Sequence, residues 1–316
     1  MPELRIDPIV GRHVYIAEDR AGRPQDYADV EDVPSRRVNC PFCAGHEDET
    51  PAAAAETLGA DGEWHVRVVP NKYPALADRG VAAGVHEVII ESPRHVAALP
   101  ELDQGQLARV LAMHRDRLRS CAAQPELAAG LVFKNSGHRA GASLEHIHSQ
   151  LVALPYVPET LAAELAAAER LIADSHCCPF CDLIAAERTA DQRIIMEADG
   201  FVALAAYAGR QPYETWILPT AHSADFLAID AHGCDAAAQI LLKLTAALEH
   251  VAPGAAYNLL LHTAPFAERG APHFHWHWEL VPRLSQFAGL ELGGGVYINP
   301  LAPEHAAKEL RGVIER

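Results

Sequence analysis

Three landmarks occur twice in this chain, in the same order, and that duplication limits its possible folds more than any other feature. The first set is Cys40-Pro41-Phe42-Cys43, then His86-Glu87-Val88-Ile89-Ile90-Glu91-Ser92-Pro93-Arg94-His95, then His146-x-His148-x-Gln150. The second set is Cys178-Pro179-Phe180-Cys181, then Tyr213-Glu214-Thr215-Trp216-Ile217-Leu218-Pro219-Thr220-Ala221-His222, then His275-x-His277-x-Glu279. The two copies are offset by similar lengths at all three landmarks, which fits one ancestral unit with loop changes. A period this long predicts two fused units rather than a solenoid of short repeats. We expect the units to span residues 1–157 and 158–316. The first would carry the His-x-His-x-Gln motif and a first metal site. The second would carry a degenerate His-x-His-x-Glu motif and a second metal site.

Local patterns support this plan. Strand-like runs with β-branched or aromatic residues fall at 13–16, 64–69, 86–91, 131–134 and 147–153, and again at 193–197, 201–206, 213–218, 257–262 and 274–281. Helical periodicity covers 102–122, where Leu107, Val110, Leu111 and Leu118 share a face, and 231–251, where Ile240, Leu241, Leu244 and Leu248 do. An alanine-rich helix over 158–174 joins the halves, a short helix fits 304–315, and 50–60 reads as loop or short helix. Strands followed by one long helix, twice, give an α+β fold with an antiparallel-rich central sheet flanked by helices.

The chain's 316 residues, 49% of them hydrophobic, suffice for a sizeable core. A net charge of -16 argues against a nucleic-acid partner. It does not exclude a small anionic substrate met by a local cluster such as Arg20, Arg23, Lys72, Lys134 and Arg139. No apolar run is long enough to span a membrane. The start of the chain lacks an apolar signal core, so the expected location is cytoplasmic. With no secretory signal, two Cys-x-x-Cys pairs favour metal or redox use over disulfides. Cys121 and Cys234 read as packing residues, and Cys177 is out of phase with the second pair.

Cys-x-x-Cys with distant histidines follows the ligand pattern of structural zinc, which takes four protein ligands tetrahedrally. The expected sets are Cys40, Cys43, His95 and His146, and Cys178, Cys181, His222 and His275. A redox pair would need a βαβ context that neither motif has. A second arrangement competes for His275: Glu164, His262, His275 and His277 could form a harder site for zinc or iron. His273 is a spare ligand, and His176, His232 and His305 read as surface residues.

On a strand, His146, His148 and Gln150 point to one face. One histidine can then bind a metal while the other attacks a phosphorus. His148 is the candidate nucleophile, forming a covalent phosphoramidate that splits one displacement into two. Ser143 and Gln150 would donate to phosphoryl oxygens. Gly137 and Gly141 would let the backbone approach the phosphates. Asn135 would hold the nucleotide or phosphate, with Lys134 a lesser candidate.

These residues resemble the galactose-1-phosphate uridylyltransferase family of the histidine-triad superfamily. The likeness runs from Asp7-Pro8-Ile9-Val10-Gly11-Arg12 and Asp19-Arg20-Ala21-Gly22-Arg23-Pro24 through both Cys-Pro-Phe-Cys motifs. It continues through Pro70-Asn71-Lys72-Tyr73-Pro74, Ser92-Pro93-Arg94-His95 and Asn135 to Gln150, and reaches His262-Thr263-Ala264-Pro265-Phe266. It implies two histidine-triad repeats sharing a sheet, and His148 as the nucleotidylated residue. Gln150 and Ser143 would lie on the phosphates, and Arg20, Arg23, Asn71 and Asn135 on the nucleotide. It also implies a homodimer. The chain departs from the family in having Ile147 between the histidines and Ser149 before Gln150. Residues 287–300 lack the basic, aromatic sugar-binding loop and look more like the divergent branch that includes ADP-glucose phosphorylase. The expected activity is ping-pong nucleotidyl transfer from a nucleotide sugar to a sugar 1-phosphate or phosphate. UDP-glucose with galactose 1-phosphate is the leading pair and ADP-glucose with phosphate the runner-up. A dinucleoside polyphosphate phosphorylase or hydrolase is a third option. A zinc-braced nucleotide-binding protein without turnover is the alternative from another class.

Overall fold

A computed structural model describes residues 2–22, 39–77, 79–80 and 82–316. Its first half runs β1 (Glu3–Ile6), β2 (His13–Ile16), β3 (Ala55–Leu58), β4 (Trp64–Pro70), β5 (Val85–Ile90), α1 (Gln104–Ala122), β6 (Ala129–Ser136) and β7 (His148–Leu154). The second half continues with α2 (Glu159–Ser175), α3 (Pro179–Ala190), β8 (Ile194–Ala198), β9 (Phe201–Ala205), β10 (Thr215–Pro219), α4 (Ala231–Val251), β11 (Tyr257–His262) and β12 (His277–Pro282). It closes with α5 (Gly289–Gly294), β13 (Tyr297–Asn299) and α6 (Pro303–Ile314).

Ten strands form one sheet in the order β3-β4-β5-β7-β6-β11-β12-β10-β9-β8. Every neighbouring pair in it is antiparallel. The order is symmetric about the β6–β11 junction, where Phe133 pairs with Leu260. Phe133 also pairs with Gln150, and Leu260 with Glu279, so the two halves correspond residue by residue across the sheet. The fold is therefore α+β, with two tandem repeats joined edge to edge. A small second sheet, β1-β2-β13, lies apart from the first.

Side chains alternate between the faces of a strand. Ile89, Leu151 and Ala153 point to the face covered by α1 and α4, where they join Val66, Val68, Leu107, Leu111, Ile240, Leu244 and Trp278 in the main core. α1 starts where Asp103 accepts a hydrogen bond from the Gln106 amide at 2.8 Å, and α4 where Asp230 accepts one from Gly233 at 2.7 Å. Each cap satisfies an amide that the helix cannot. With this face filled mainly by apolar side chains, His86, His148 and Gln150 are left on the opposite face.

Two local expectations are corrected. Within 50–60, residues Ala55–Leu58 form β3, paired with β4. An edge strand of this kind is stabilised by its ladder rather than by its alanine-rich sequence. The two Cys-Pro-Phe-Cys motifs also take different local structures. Residues 40–45 form a turn that ends at Gly45 with φ +89°, whereas Cys178 caps α3 and Cys181 lies in its first turn. A left-handed glycine ends the first turn, while Asp182-Leu183-Ile184-Ala185-Ala186 propagates the second as helix. Among the described residues, no helix is long and apolar enough to cross a membrane.

Candidate active site and metal centres

β7 lies between β5 and β6, and His148 is its first residue. His148 Nδ1 donates to the His146 carbonyl at 2.8 Å, which leaves Nε2 with its lone pair. Burial pushes the imidazole below its ordinary pKa, favouring the neutral ring. His148 is 8% exposed, and it borders a small cleft with Lys134, Asn135, Ser136, Gly137, Leu144 and Tyr257. Phe42, from the first cysteine turn, packs edge-on to it with ring centroids 5.5 Å apart.

Behind the strand, Lys134 Nζ donates to the His148 carbonyl at 2.8 Å and forms an ion pair with Glu91 at 2.8 Å. Both side chains are buried. Lys134 is thus committed to the strand backbone and does not reach for a phosphate, which corrects its candidacy as a nucleotide contact. The alternation of β6 turns it away from Asn135. Burial lowers the lysine's pKa, and Glu91 opposes that shift. Lys134→Met is expected to destabilise the protein by about 3–5 kcal/mol, because the buried carboxylate loses its partner. Adding Glu91→Gln should recover most of that loss in a urea titration. A single variant within about 1 kcal/mol of wild type would show that the pair does not hold the strand. His114, on α1, hydrogen-bonds Ser149 Oγ at 2.7 Å, and burial lowers its pKa to about 4.

The other expected site residues divide into groups. Gln150 Oε1 lies 2.8 Å from His86 Nε2, and Asn71 Nδ2 lies 3.0 Å from the same nitrogen, so Asn71, His86 and Gln150 are contiguous. Asn135 Oδ1 accepts from Asn258 Nδ2 at 2.8 Å, and Asn258 also donates to the Ala140 carbonyl at 2.9 Å. A residue of the second half therefore anchors the loop of the first. Gly141 has φ +92°, and a Cβ there would sit 3.6 Å from Asn135 Nδ2. Ser143 is exposed on this loop, with no hydrogen bond to His148 or Gln150 among the described residues. Arg20 is exposed within a short 3-10 turn, and no described contact joins it to His148. Arg23 lies outside the described residues. Glu91, His86, His114 and Asn258 received no role from sequence reasoning. Only His86, two residues before Val88 on a strand beside β7, left a readable signal.

Among the described residues, three groups of side chains could hold a metal ion. Cys40, Cys43, His95 and His146 converge, with Sγ–Nδ1 distances of 3.5 Å for Cys40–His146 and Cys43–His95 and 3.6 Å for Cys43–His146. His146 Nε2 donates to the Ser92 carbonyl at 2.8 Å, which orients Nδ1 toward the thiols. Burial lowers the His146 pKa to about 4, keeping the ring neutral as a ligand must be. Burial pushes the Cys43 thiol up to about 11, so binding a metal there must release its proton.

Cys178, Cys181, His222 and His275 repeat this arrangement. Cys181 Sγ lies 3.6 Å from both His222 Nδ1 and His275 Nδ1, and His275 Nε2 donates to the Pro219 carbonyl at 2.9 Å. The competing four-residue set is corrected. His275 faces the cysteines, leaving Glu164, His262 and His277 as a separate group of three. The backbone bond of His275 aims its Nδ1 away from that group. Of the spare ligand His273, only the carbonyl approaches Cys178, at 3.5 Å.

The second motif is closed. His277 is fully buried, stacked on Trp216 at 5.3 Å and packed against Phe180 and His262. Glu279, in the place of Gln150, is paired with Arg210, which also grips Glu214. Burial favours the neutral acid, but Arg210 and His262 hold Glu279 below the usual carboxylate range. For His262 burial acts downward, yet Glu164 and Glu279 lift it to about 9.

Comparison with known proteins follows the same lines. Residues 1–158 match the family model described as galactose-1-phosphate uridyl transferase, N-terminal domain. The chain is 34% identical over 334 residues to ADP-glucose phosphorylase of Arabidopsis thaliana, covering 99% of this chain and 93% of that protein. It is 28% identical over 333 residues to galactose-1-phosphate uridylyltransferase of Thermotoga maritima, covering 98% of each. The crystal structure of an ADP-glucose phosphorylase from Arabidopsis thaliana with bound ADP-glucose superposes with a TM-score of 0.89 at 33% identity, covering 98% of each chain. The chain is a nucleotidyltransferase and belongs to the galactose-1-phosphate uridylyltransferase family.

Proposed function

We propose that the protein transfers an adenylyl group from ADP-glucose to inorganic phosphate through a covalent His148 intermediate. The carrying observation is the His148 ring, whose Nδ1 donates to the His146 carbonyl and so keeps the Nε2 lone pair for chemistry, two residues from Gln150 on one strand face. Nε2 attacks the α-phosphorus, the bond to the bridging oxygen breaks, and glucose 1-phosphate departs. A phosphate oxygen then attacks the same phosphorus, releasing ADP and restoring the imidazole. Gln150 donates to phosphoryl oxygens as charge develops, with Ser143 as a second donor once the loop meets substrate. Asn71 and Asn135 are assigned to the nucleotide, with Gly141 allowing close backbone approach. Arg20 and Arg23 are assigned there by resemblance.

The whole-chain similarity to ADP-glucose phosphorylase and residues 287–300 favour this pair of substrates. UDP-glucose with galactose 1-phosphate is the second reading, favoured by the other relatives. The division at 157/158 assigns chemistry to the first repeat and support to the second, and the assembly is assigned as a homodimer.

Zinc suits both cysteine clusters. Tetrahedral zinc with bonds of about 2.3 Å to sulfur and about 2.0–2.1 Å to nitrogen sets S···N separations near about 3.6 Å. The S···N distances in the two clusters are 3.5–3.6 Å. With four protein ligands, such an ion is a structural brace. Glu164, His262 and His277 would suit zinc or iron.

The test is intact mass after brief incubation with ADP-glucose or UDP-glucose and no acceptor. One adenylyl group added per chain is expected. A uridylyl adduct alone would replace this reading with the second, and no adduct from either donor would overturn both.

A further inference from the structure

We propose that His86 is a positioning residue that sets the orientation of the Gln150 amide, so that its NH2 group rather than its oxygen faces the substrate phosphate. The inference rests on the role assigned to Gln150 above. An amide can face a phosphate in two orientations, and only one donates. Gln150 does not choose between them itself, because its oxygen and nitrogen are nearly equal in size.

The hydrogen bonds around His86 make the choice. Its Nδ1 accepts from the Ala75 backbone N–H at 3.1 Å. A backbone amide is an obligate donor, so the ring proton belongs on Nε2. Two groups approach Nε2: Gln150 Oε1 at 2.8 Å and Asn71 Nδ2 at 3.0 Å. Asn71 Oδ1 already accepts from the Tyr73 amide at 2.8 Å, which commits its nitrogen to the donor side. Of the two neighbours, only the Gln150 oxygen can accept the Nε2 proton. The glutamine oxygen is thereby held on His86, and its Nε2 becomes the donor on the His148 face.

The second repeat offers an internal contrast. Val88 pairs with Gln150 and Trp216 with Glu279, so His86 and Glu214 hold corresponding places. Where Glu279 replaces the glutamine, Glu214 replaces the histidine and Arg210 bridges the two carboxylates. The two positions differ together between an open site and a closed one.

The test compares His86→Phe, His86→Gln, Gln150→Ala and the double variant His86→Phe/Gln150→Ala, all full-length and metal-loaded, with ADP-glucose. His86→Phe keeps a ring of similar size but has no proton to give. It is expected to slow His148 nucleotidylation about 10- to 100-fold with KM little changed, as for loss of an oriented donor. His86→Gln, which retains an N–H donor, is expected to recover part of the rate. The double variant is expected to be no slower than Gln150→Ala, since both changes remove one interaction. Multiplying losses, or a His86→Phe protein at the wild-type rate, would overturn the proposal. A readout independent of activity accompanies these: long-range proton–nitrogen spectra of histidine-labelled protein, with His86→Phe to assign the signal. A proton on Nε2 is expected, and a proton on Nδ1 would overturn the proposal even if no donor reacts. A wild-type protein that forms no adduct but shows the Nε2 proton would count against the assigned activity and leave the amide orientation standing.

Discussion

A His148→Ala protein is expected to form no nucleotidyl adduct and to lose at least about 10^4-fold in turnover, as when a nucleophile is removed elsewhere. The fold should survive. The side chain is on the face away from the main core, and its outgoing bond is to the neighbouring His146 carbonyl. Metal content and urea midpoint are therefore expected to stay near wild type, separating lost chemistry from lost structure. Turnover within about 10-fold of wild type would sink the covalent mechanism through His148.

The second large effect concerns the first metal centre. Cys40→Ser is expected to remove one metal equivalent and to cost on the order of 5 kcal/mol, given that structural zinc sites contribute about 10–16 kcal/mol of binding free energy in small domains. It should also lower turnover. His146 belongs to that cluster and its carbonyl accepts the His148 Nδ1 proton, so loosening the cluster should loosen the proposed nucleophile. Cys178→Ser is expected to lose a metal equivalent as well, with a much smaller effect on turnover. Its cluster braces His275, ahead of β12 and the closed His277 site. Metal analysis and kinetics on the two variants decide the matter. Unchanged metal content in Cys40→Ser, or equal losses of turnover in both, would defeat the assignment.

Several features were legible in the sequence because they depend on local spacing. The 2-residue alternation of strands and the 3.6-residue periodicity of helices located most of the elements. Cys40-x-x-Cys43 and Cys178-x-x-Cys181 could be read as ligand pairs because two intervening residues bring both thiols to one side of a turn. His148 and Gln150 could be placed on one face for the same reason. Other features depend on partners distant in the chain. Edge strand β3 exists through its pairing with β4. The Ala75 amide, 11 residues before His86, determines which ring nitrogen carries the proton.

The sequence by itself determined the duplication, the α+β class and the two Cys-x-x-Cys ligand pairs, since each follows from repeated motifs, covalent spacing or short-range periodicity. Tertiary structure supplied the reason that His275 joins the cysteines rather than Glu164, His262 and His277: Pro219, 56 residues away, accepts its Nε2 proton and turns Nδ1 to the thiols. It turned Lys134 inward, because burying Glu91 beneath β7 demands a cation there. It left one repeat open and closed the other. Arg210, Trp216 and Glu164 reach the second site from three separate elements, and only the packing of the folded chain brings them together.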